Sequence, residues 1–548
     1  MAAVAEEEAE VADNKQQKPL EHITKHLTHY PNMKRYILLP LLAIAFTTQA
    51  QDTYINERLT NNSGEVIGTA RYVGMGGALG ALGADMSVIS WNPAGIGLYR
   101  KHDVAFTFGG TWGKSSIVEE NRGKGTIDQA GFVFNIKTGN ETCPYLNLAF
   151  NYQKKLNYNQ NFYADNNNLY GLSQMHQVAE LTDWDQGWQE NLAGMALENG
   201  YFSTGKNANG EEYHYNRYPS SANEYTHHSE GSLKAIDLNM STNIKNRAFI
   251  GLTIGVDNLN YNSWTYYREY DMDGYAKYDL NNDYRITGTG VNVKLGTIVR
   301  PFENKPFRFA FVVETPTWFR LTNSTLFDLS RGDHYGGTRI DPWESYLKFN
   351  LRSPWKVRTG IGSTVGSVLA WDIDYEFAAY AGTHLGYPND DSWDGAGNIK
   401  DVAMNQFTRD ILRGTHTLRA GIEVNATKSL AFRVGYNLST SAYEKNIGFD
   451  QYNLNSATMD YATSTNYMRL GNTNILTLGM GYRYKKFYVD LAYKIRNQKG
   501  DFYAFDTSFA QSDTQFTADN PELSGLTIDP VGVDLTRQTI TCTLGFKF

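Results

Sequence analysis

From residue 103 to the C-terminus, the chain repeats segments of about ten residues in which apolar and polar side chains alternate. A two-residue period belongs to a β-strand with one apolar and one polar face. In 486–495, Phe487, Val489, Leu491, Tyr493 and Ile495 stand against Lys486, Tyr488, Asp490, Ala492 and Lys494. In 369–376, Leu369, Trp371, Ile373 and Tyr375 oppose Asp372, Asp374 and Glu376. Leu430, Phe432, Val434 and Tyr436 oppose Arg433 and Asn437, and Leu476, Leu478, Met480 and Tyr482 oppose Thr477, Gly479 and Arg483. The split recurs in 104–108, 132–136, 146–152, 248–257, 307–314 and 418–424. A soluble sandwich or propeller would bury the apolar face. A transmembrane barrel would turn it to lipid and the polar face to the lumen.

The connections decide between these architectures. Short ones fall near 138–144, 242–246, 300–306, 364–366, 425–428 and Lys485. Long ones fall near 113–127, 155–231, 259–285, 320–343, 381–412, 441–471 and 498–535. Outer-membrane barrels alternate in this way, because periplasmic turns are tight and extracellular loops grow. Taking 344–362 as one strand gives fourteen. Pro354 interrupts it, yet Leu347, Phe349, Leu351, Trp355, Val357, Thr359 and Ile361 keep odd parity across the proline. One strand with a local break fits that parity. The expected fold is all-β: a fourteen-stranded antiparallel transmembrane barrel over 103–548, with both ends periplasmic.

Composition supports this reading. Tyr 37, Phe 27, Trp 10 and Gly 50 suit pleated surfaces and turns. After residue 60 no uncharged apolar run approaches the ~20 residues of a membrane helix, which excludes a polytopic helical protein. A net charge of -8 offers no field for a phosphate backbone, so nucleic acid is not an expected partner. Cys143 and Cys542 form no CxxC pair, zinc site or disulfide framework, and Cys542 is expected to face lipid.

Both ends of the chain carry export features. Lys34 and Arg35, the apolar run Ile37 to Phe46, and Thr48-Gln49-Ala50 read as a secretory signal peptide over 33–50. Residues 1–32 hold Glu6, Glu7, Glu8, Glu10, Asp13 and Glu21 against Lys15, Lys18 and Lys25, an acidic leader unsuited to a signal. Translation from Met33 and a mature chain from near Gln51 are therefore expected. The last strand ends on Ile540, Cys542, Leu544, Phe546 and Phe548. It resembles the terminal signal by which the barrel-assembly machinery recognises outer-membrane proteins, and it places the chain in a Gram-negative outer membrane.

Residues 69–100 do not alternate. Ala78, Leu79, Leu82, Met86 and Ile89 fall at helical spacing, while Gly74, Gly76, Gly77, Gly80 and Gly83 limit helix length. Short helices and tight turns are expected, with Asn92-Pro93 ending the helical piece. Ala70-Arg71, Gly74-Met75-Gly76-Gly77-Ala78, Ala84-Asp85 and Asn92-Pro93-Ala94-Gly95 lead directly into the first strand. In this arrangement the sequence resembles the FadL/TodX family of outer-membrane channels for long-chain fatty acids and other hydrophobic compounds. The resemblance implies an N-terminal hatch over 51–102, with Gly74, Gly76, Gly77 and Asp85 in its body and Asn92, Pro93 and Ala94 at its wall-side end. It also implies passive uptake, by a monomer set among membrane lipid and lipopolysaccharide. The family places two acids where only Asp85 stands here, and the longest loop here is the second.

In loop 155–231, Leu169, Leu172, Met175, Val178 and Leu181 lie near helical spacing, followed by Trp184, Trp188, Leu192 and Met195. They read either as an amphipathic helix pair offering a first hydrophobic site or as packing of the loop onto the rim. Each buried methylene is worth ~0.8 kcal/mol, so an acyl chain needs a continuous apolar path. Arg358, Arg419 and Arg433 are candidate partners for a ligand carboxylate, though lumen charges chiefly pair with one another or with the hatch. The sequence has no G-x-S-x-G, H-E-x-x-H or C-x-x-C, and neither catalysis nor a cofactor or metal is expected. His227-His228 motivate an alternative haem receptor, and the long aromatic loops a surface adhesin or structural barrel. Asp271, Asp273 and Asp279 match a calcium loop only loosely.

Overall fold

The computed structural model describes residues 50–113, 124–180, 191–206, 210, 212–216, 218–303, 305–339, 341–389, 397–444, 461–512 and 514–548. The expected leader 1–32 and signal peptide, Ala50 apart, lie outside them. Fourteen barrel strands make one antiparallel sheet. They are β1 (Asp103–Gly113), β2 (Lys124–Lys137), β3 (Tyr145–Asn157), β4 (Ala222–Ile244), β5 (Ala248–Tyr270) and β6 (Ala276–Val299). Next come β7 in two pieces (Arg308–Glu314 and Trp318–Arg331), β8 in two pieces (Trp343–Arg352 and Lys356–Val365) and β9 (Leu369–Ala379). The last five are β10 (Gly414–Asn425), β11 (Leu430–Ser439), β12 (Tyr467–Tyr484), β13 (Phe487–Tyr503) and β14 (Arg537–Lys547). Pairing of β14 with β1, from Asp103↔Lys547 to Gly113↔Arg537, closes the barrel. Phe548 extends the closure by exchanging backbone hydrogen bonds with His102, at 3.1 Å each way.

Short turns of 245–247, 366–368 and 485–486 join strands at one end, where Lys245, Asn246 and Lys485 take positive φ. Near that end the outward side chains are apolar, as with Ile236, Leu238 and Met240 on β4 and Ile250, Leu252, Ile254 and Val256 on β5. Between them Asp237, Asn239 and Ser241 are buried inward. Cys542 lies on the outward face between Ile540 and Leu544, paired with Phe108 on β1 and Leu491 on β13.

Several of the long loops are shorter than expected. Loop 259–285 contracts to 271–275, because β5 and β6 continue beyond the apolar band. The pattern inverts there: Asn258, Asn260 and Asn262 turn outward, and Leu259 and Tyr261 are buried inside. An apolar count that skips one residue looks like the end of a strand, although the backbone alternation is unbroken. For the same reason β4 begins at Ala222, within the expected loop 155–231, and β7 runs to Arg331. A short strand, Gln160–Asn166, also pairs with β4.

The break at Pro354 has a counterpart at Pro316 in β7. Both fall at one level, flanked by Glu314↔Lys356 and Trp318↔Arg352. Side chains replace the ladder bonds that the prolines remove: Thr317 N donates to Ser353 Oγ (2.8 Å) and Val293 N to Thr315 Oγ1 (3.0 Å).

Inside the sheet lie α1 (Ala50–Thr60), α2 (Ala70–Gly74) and two 3₁₀ helices, Met86–Ser90 and Pro93–Leu98. Short helices and turns match the expectation: the piece Met86–Ser90 ends just before Asn92-Pro93, and Asn92 also caps the next one, its Oδ1 accepting from Ala94 N (3.1 Å) with Pro93 in the first turn.

Candidate functional site

The inserted segment 61–100 bonds many of its backbone N–H groups internally, as in Val73 N to Thr69 O and Gly83 N to Leu79 O, and the lumen wall accepts from Ala70, Gly80, Ala81 and Leu82. Glycine permits the approach at two points. Gly76 (φ 66°) rests on β11, where a Cβ would come within 2.7 Å of Tyr436 N, and Gly77 (φ 80°) leaves room for the Arg419 guanidinium. Asp374 Oδ2 accepts from Gly80 N (2.8 Å) and Trp91 Nε1 (3.1 Å). Asp372 Oδ2 accepts from Ala81 N (3.0 Å) and Leu82 N (2.8 Å). Asn92 Nδ2 donates to Gly80 O (2.7 Å), tying the glycine-rich run to the turn before Pro93. Pro93 and Ala94 press on Gly251 of β5, and Asn92 on Gly296 of β6. Asp85 binds within the segment, taking Thr69 Oγ1 (2.7 Å) and Ser87 N (2.9 Å).

The three candidate arginines differ. Arg358 is held between Glu314 and Glu376, and Arg433 between Glu423 and Asp490. Arg71 of α2 also reaches Glu423 (2.9 Å). Arg419 forms no ion pair among the described residues. It lies over the Trp91 ring at 3.6 Å, donates to Tyr72 Oη (2.6 Å), and approaches the carbonyls of Ser63 and Glu65 at 3.4 Å each. Sequence reasoning missed Trp91, Tyr72, Ser63 and Glu65. Trp91, a large aromatic beside Asn92-Pro93, was the one readable signal among them.

Above this charged layer the barrel interior becomes apolar. Ile55 and Leu59 of α1 pack with Tyr158, Tyr261, Tyr278, Phe319, Phe327 and Tyr380 in one continuous cluster. Burial pushes the Glu57 carboxyl on α1 up to about 7, against the opposing pull of Asn61 and Arg58. A cavity of about 70 Å³ lies at the seam, lined by Glu57, Glu65, Tyr158, Arg496 and Arg537.

The loop helices α3 (Gln174–Glu180) and α4 (Leu192–Glu198) cap the cluster. Met175 and Leu192 join it, 1% and 2% exposed, whereas Leu172 packs in a second cluster with Phe505, Phe509, Phe516 and Leu523. Trp184 and Trp188 lie outside the described residues. His176 on α3 is buried against Phe516 (5.2 Å); burial, then Lys277, lowers its pKa to about 3. His227 and His228 point to opposite faces of β4, with His227 inside, stacked on Phe162 at 4.9 Å. Adjacent strand residues cannot converge on one haem iron. Of the loose calcium trio, Asp279 pairs with Arg268 (2.5 Å).

These features define a class: a closed fourteen-stranded antiparallel β-barrel with an outward apolar band and an N-terminal segment packed in its lumen. No protein-family model matches the sequence, and no curated protein matches it. Among solved structures the chain is similar to a FadL homologue from Pseudomonas aeruginosa, at 11% identity over 88% of this chain and 98% of that one, TM-score 0.48. It is also similar to the Ralstonia pickettii toluene transporter TbuX (12%, 88% and 99%, TM-score 0.44) and the P. putida toluene transporter TodX (9%, 88% and 99%, TM-score 0.44).

Proposed function

We propose that this barrel carries hydrophobic compounds passively across the outer membrane, with long-chain fatty acids among them and the segment 51–102 acting as its hatch. The observation that carries this reading is the apolar interior beyond the lipid band. It runs from Met175 and Leu192 beneath the loops down to Leu59, four residues before Ser63 at Arg419. An apolar solute gains by entering such a column, whose charged layer lies at its base. The 70 Å³ seam cavity is well below the roughly 300 Å³ of a small-ligand site, so passage requires the hatch to shift. Arg419 is the proposed partner for a carboxylate, since Arg358 and Arg433 are each already held by two acids.

Uptake of oleate and of toluene by cells lacking other such channels tests both levels of the proposal. The protein is expected to restore both, and gently extracted protein to carry acyl chains visible by mass spectrometry. Arg419→Met is expected to lower oleate uptake at least fivefold while sparing toluene. Restoration of neither compound would sink the channel reading. Equal loss of both in Arg419→Met would remove the carboxylate role.

A further inference from the structure

Outside the barrel, above the apolar band, β4 to β8 form a wall whose outward rows change character in order. The last apolar row is Ile236, Val256, Val291 and Trp318. The next holds Lys234, Asn258, Thr289, Arg320 and Asn350. Arg352 and Lys348 stand nearby on β8, and Lys234, Arg320, Lys348 and Arg352 are all exposed and form no ion pair among the described residues.

Farther up, an open concavity of about 380 Å³ surrounds Trp264, within the range of roughly 300–1,000 Å³ typical of small-ligand sites. Trp264 is 40% exposed, and the Tyr266 ring lies nearly parallel to it, the two centroids 6.4 Å apart and the planes 10° from parallel. Tyr266 is fixed from behind, its hydroxyl 3.2 Å from Asp279 and its ring under Arg268. Around Trp264 stand Asn262, Asp283, Arg285 and Ser324, none with a side-chain hydrogen bond or ion pair among the described residues.

We infer that this concavity binds the core saccharide of outer-leaflet lipopolysaccharide. An exposed aromatic pair with donors and acceptors of Asn262, Asp283, Arg285 and Ser324 beside it suits a sugar ring, whose C–H face is apolar and whose hydroxyls need partners. The height selects the source. Trp264 lies eight residues beyond Val256, which at ~3.4 Å per residue and a tilt of ~40° is roughly 20 Å above the band. The cations one row above the band, at roughly 5 Å by the same measure, stand where the glycolipid phosphates lie. The ligand is thus an anionic glycolipid, with phosphate at the lower row and sugar at the upper.

The inference rests on the outer-membrane placement but not on the transported compound. The test uses the full-length protein in detergent. Calorimetric titration with delipidated, dephosphorylated core oligosaccharide is expected to show binding, at least tenfold weaker in Trp264→Ala and at least threefold weaker in Arg285→Ala. Lys234→Gln with Arg320→Gln is expected to leave that affinity unchanged while reducing intact lipopolysaccharide retained in native mass spectra. Oleate and toluene uptake by Trp264→Ala is expected to match the parent. Equal oligosaccharide affinity in Trp264→Ala, equally tight binding of dextran, or no binding by the parent would each overturn the site. Lost uptake in Trp264→Ala would assign the residue to transport instead.

Discussion

Within β5 the outward residues change from Ile250, Leu252, Ile254 and Val256 to Asn258, Asn260 and Asn262, with no break in the backbone. The inward residues make the opposite change, from Gly251, Thr253, Gly255 and Asp257 to Leu259 and Tyr261. One strand thus serves two solvents. Where lipid lies outside, the lumen can be polar, and there the wall supplies acceptors to Ala70, Gly80, Ala81 and Leu82 N–H of the inserted segment. Where water lies outside, the interior holds the apolar core. The two halves should therefore fail in opposite ways.

The largest expected effect comes from removing charge in the membrane half. Arg433→Met leaves Glu423 and Asp490 buried without their shared cation, a loss of about 3–5 kcal/mol. Adding Asp490→Asn is expected to recover part of it, because Arg71 still holds Glu423. Urea unfolding from phospholipid vesicles reads the difference, and an Arg433→Met midpoint equal to the parent would refute the charged-lumen account.

An outward arginine sharpens the contrast. Leu238→Arg, near the middle of the β4 band at 57% exposure, should cost about 2–4 kcal/mol in vesicles. Asn260→Arg, on the outward face of β5 above the band, should cost within about 0.5 kcal/mol of nothing. Equal costs would mean that the boundary between lipid and water has been misplaced.

The membrane half was legible in the sequence because one apolar parity holds for each strand, and even the Pro354 break kept parity across it. The upper half was not. Its apolar residues switch parity near 257–259, so a search for outward apolar residues ends there and assigns the rest to loops. Pro316 was missed for a related reason: the alternation after it, with Phe319, Leu321 and Phe327 turned inward, belongs to the inverted half. The lumen charges were legible by parity, but their partners were not. That Arg419 alone of the three candidates lacks a carboxylate depends on where the glycine-rich segment crosses the barrel, which no periodicity reports.

The smallest effect is expected at the cap of the upper half, where His176 is buried with its pKa lowered to about 3. Its surroundings are Lys277, the Phe509 and Phe516 rings, and Glu269, which accepts from Ser173 Oγ and Gln174 N at 2.6 Å each. A depressed histidine is neutral in the folded loop, so its contribution is complete above about 6.5 and is lost as pH falls toward 3. Between neutrality and pH 5 the loss is about 2 kcal/mol, at ~1.4 kcal/mol per pH unit below the unfolded value. It should fall on α3 alone, because the barrel closure from Asp103↔Lys547 to Gly113↔Arg537 involves none of these groups. Hydrogen exchange at pH 7.5 and 5, corrected for intrinsic rates, is expected to show α3 amides losing protection while β1 and β14 keep theirs. His176→Phe should abolish the change, since a ring of similar size without a titrating nitrogen keeps the packing against Phe516. Persistence of the change in that variant would remove His176 as the source of the pH response.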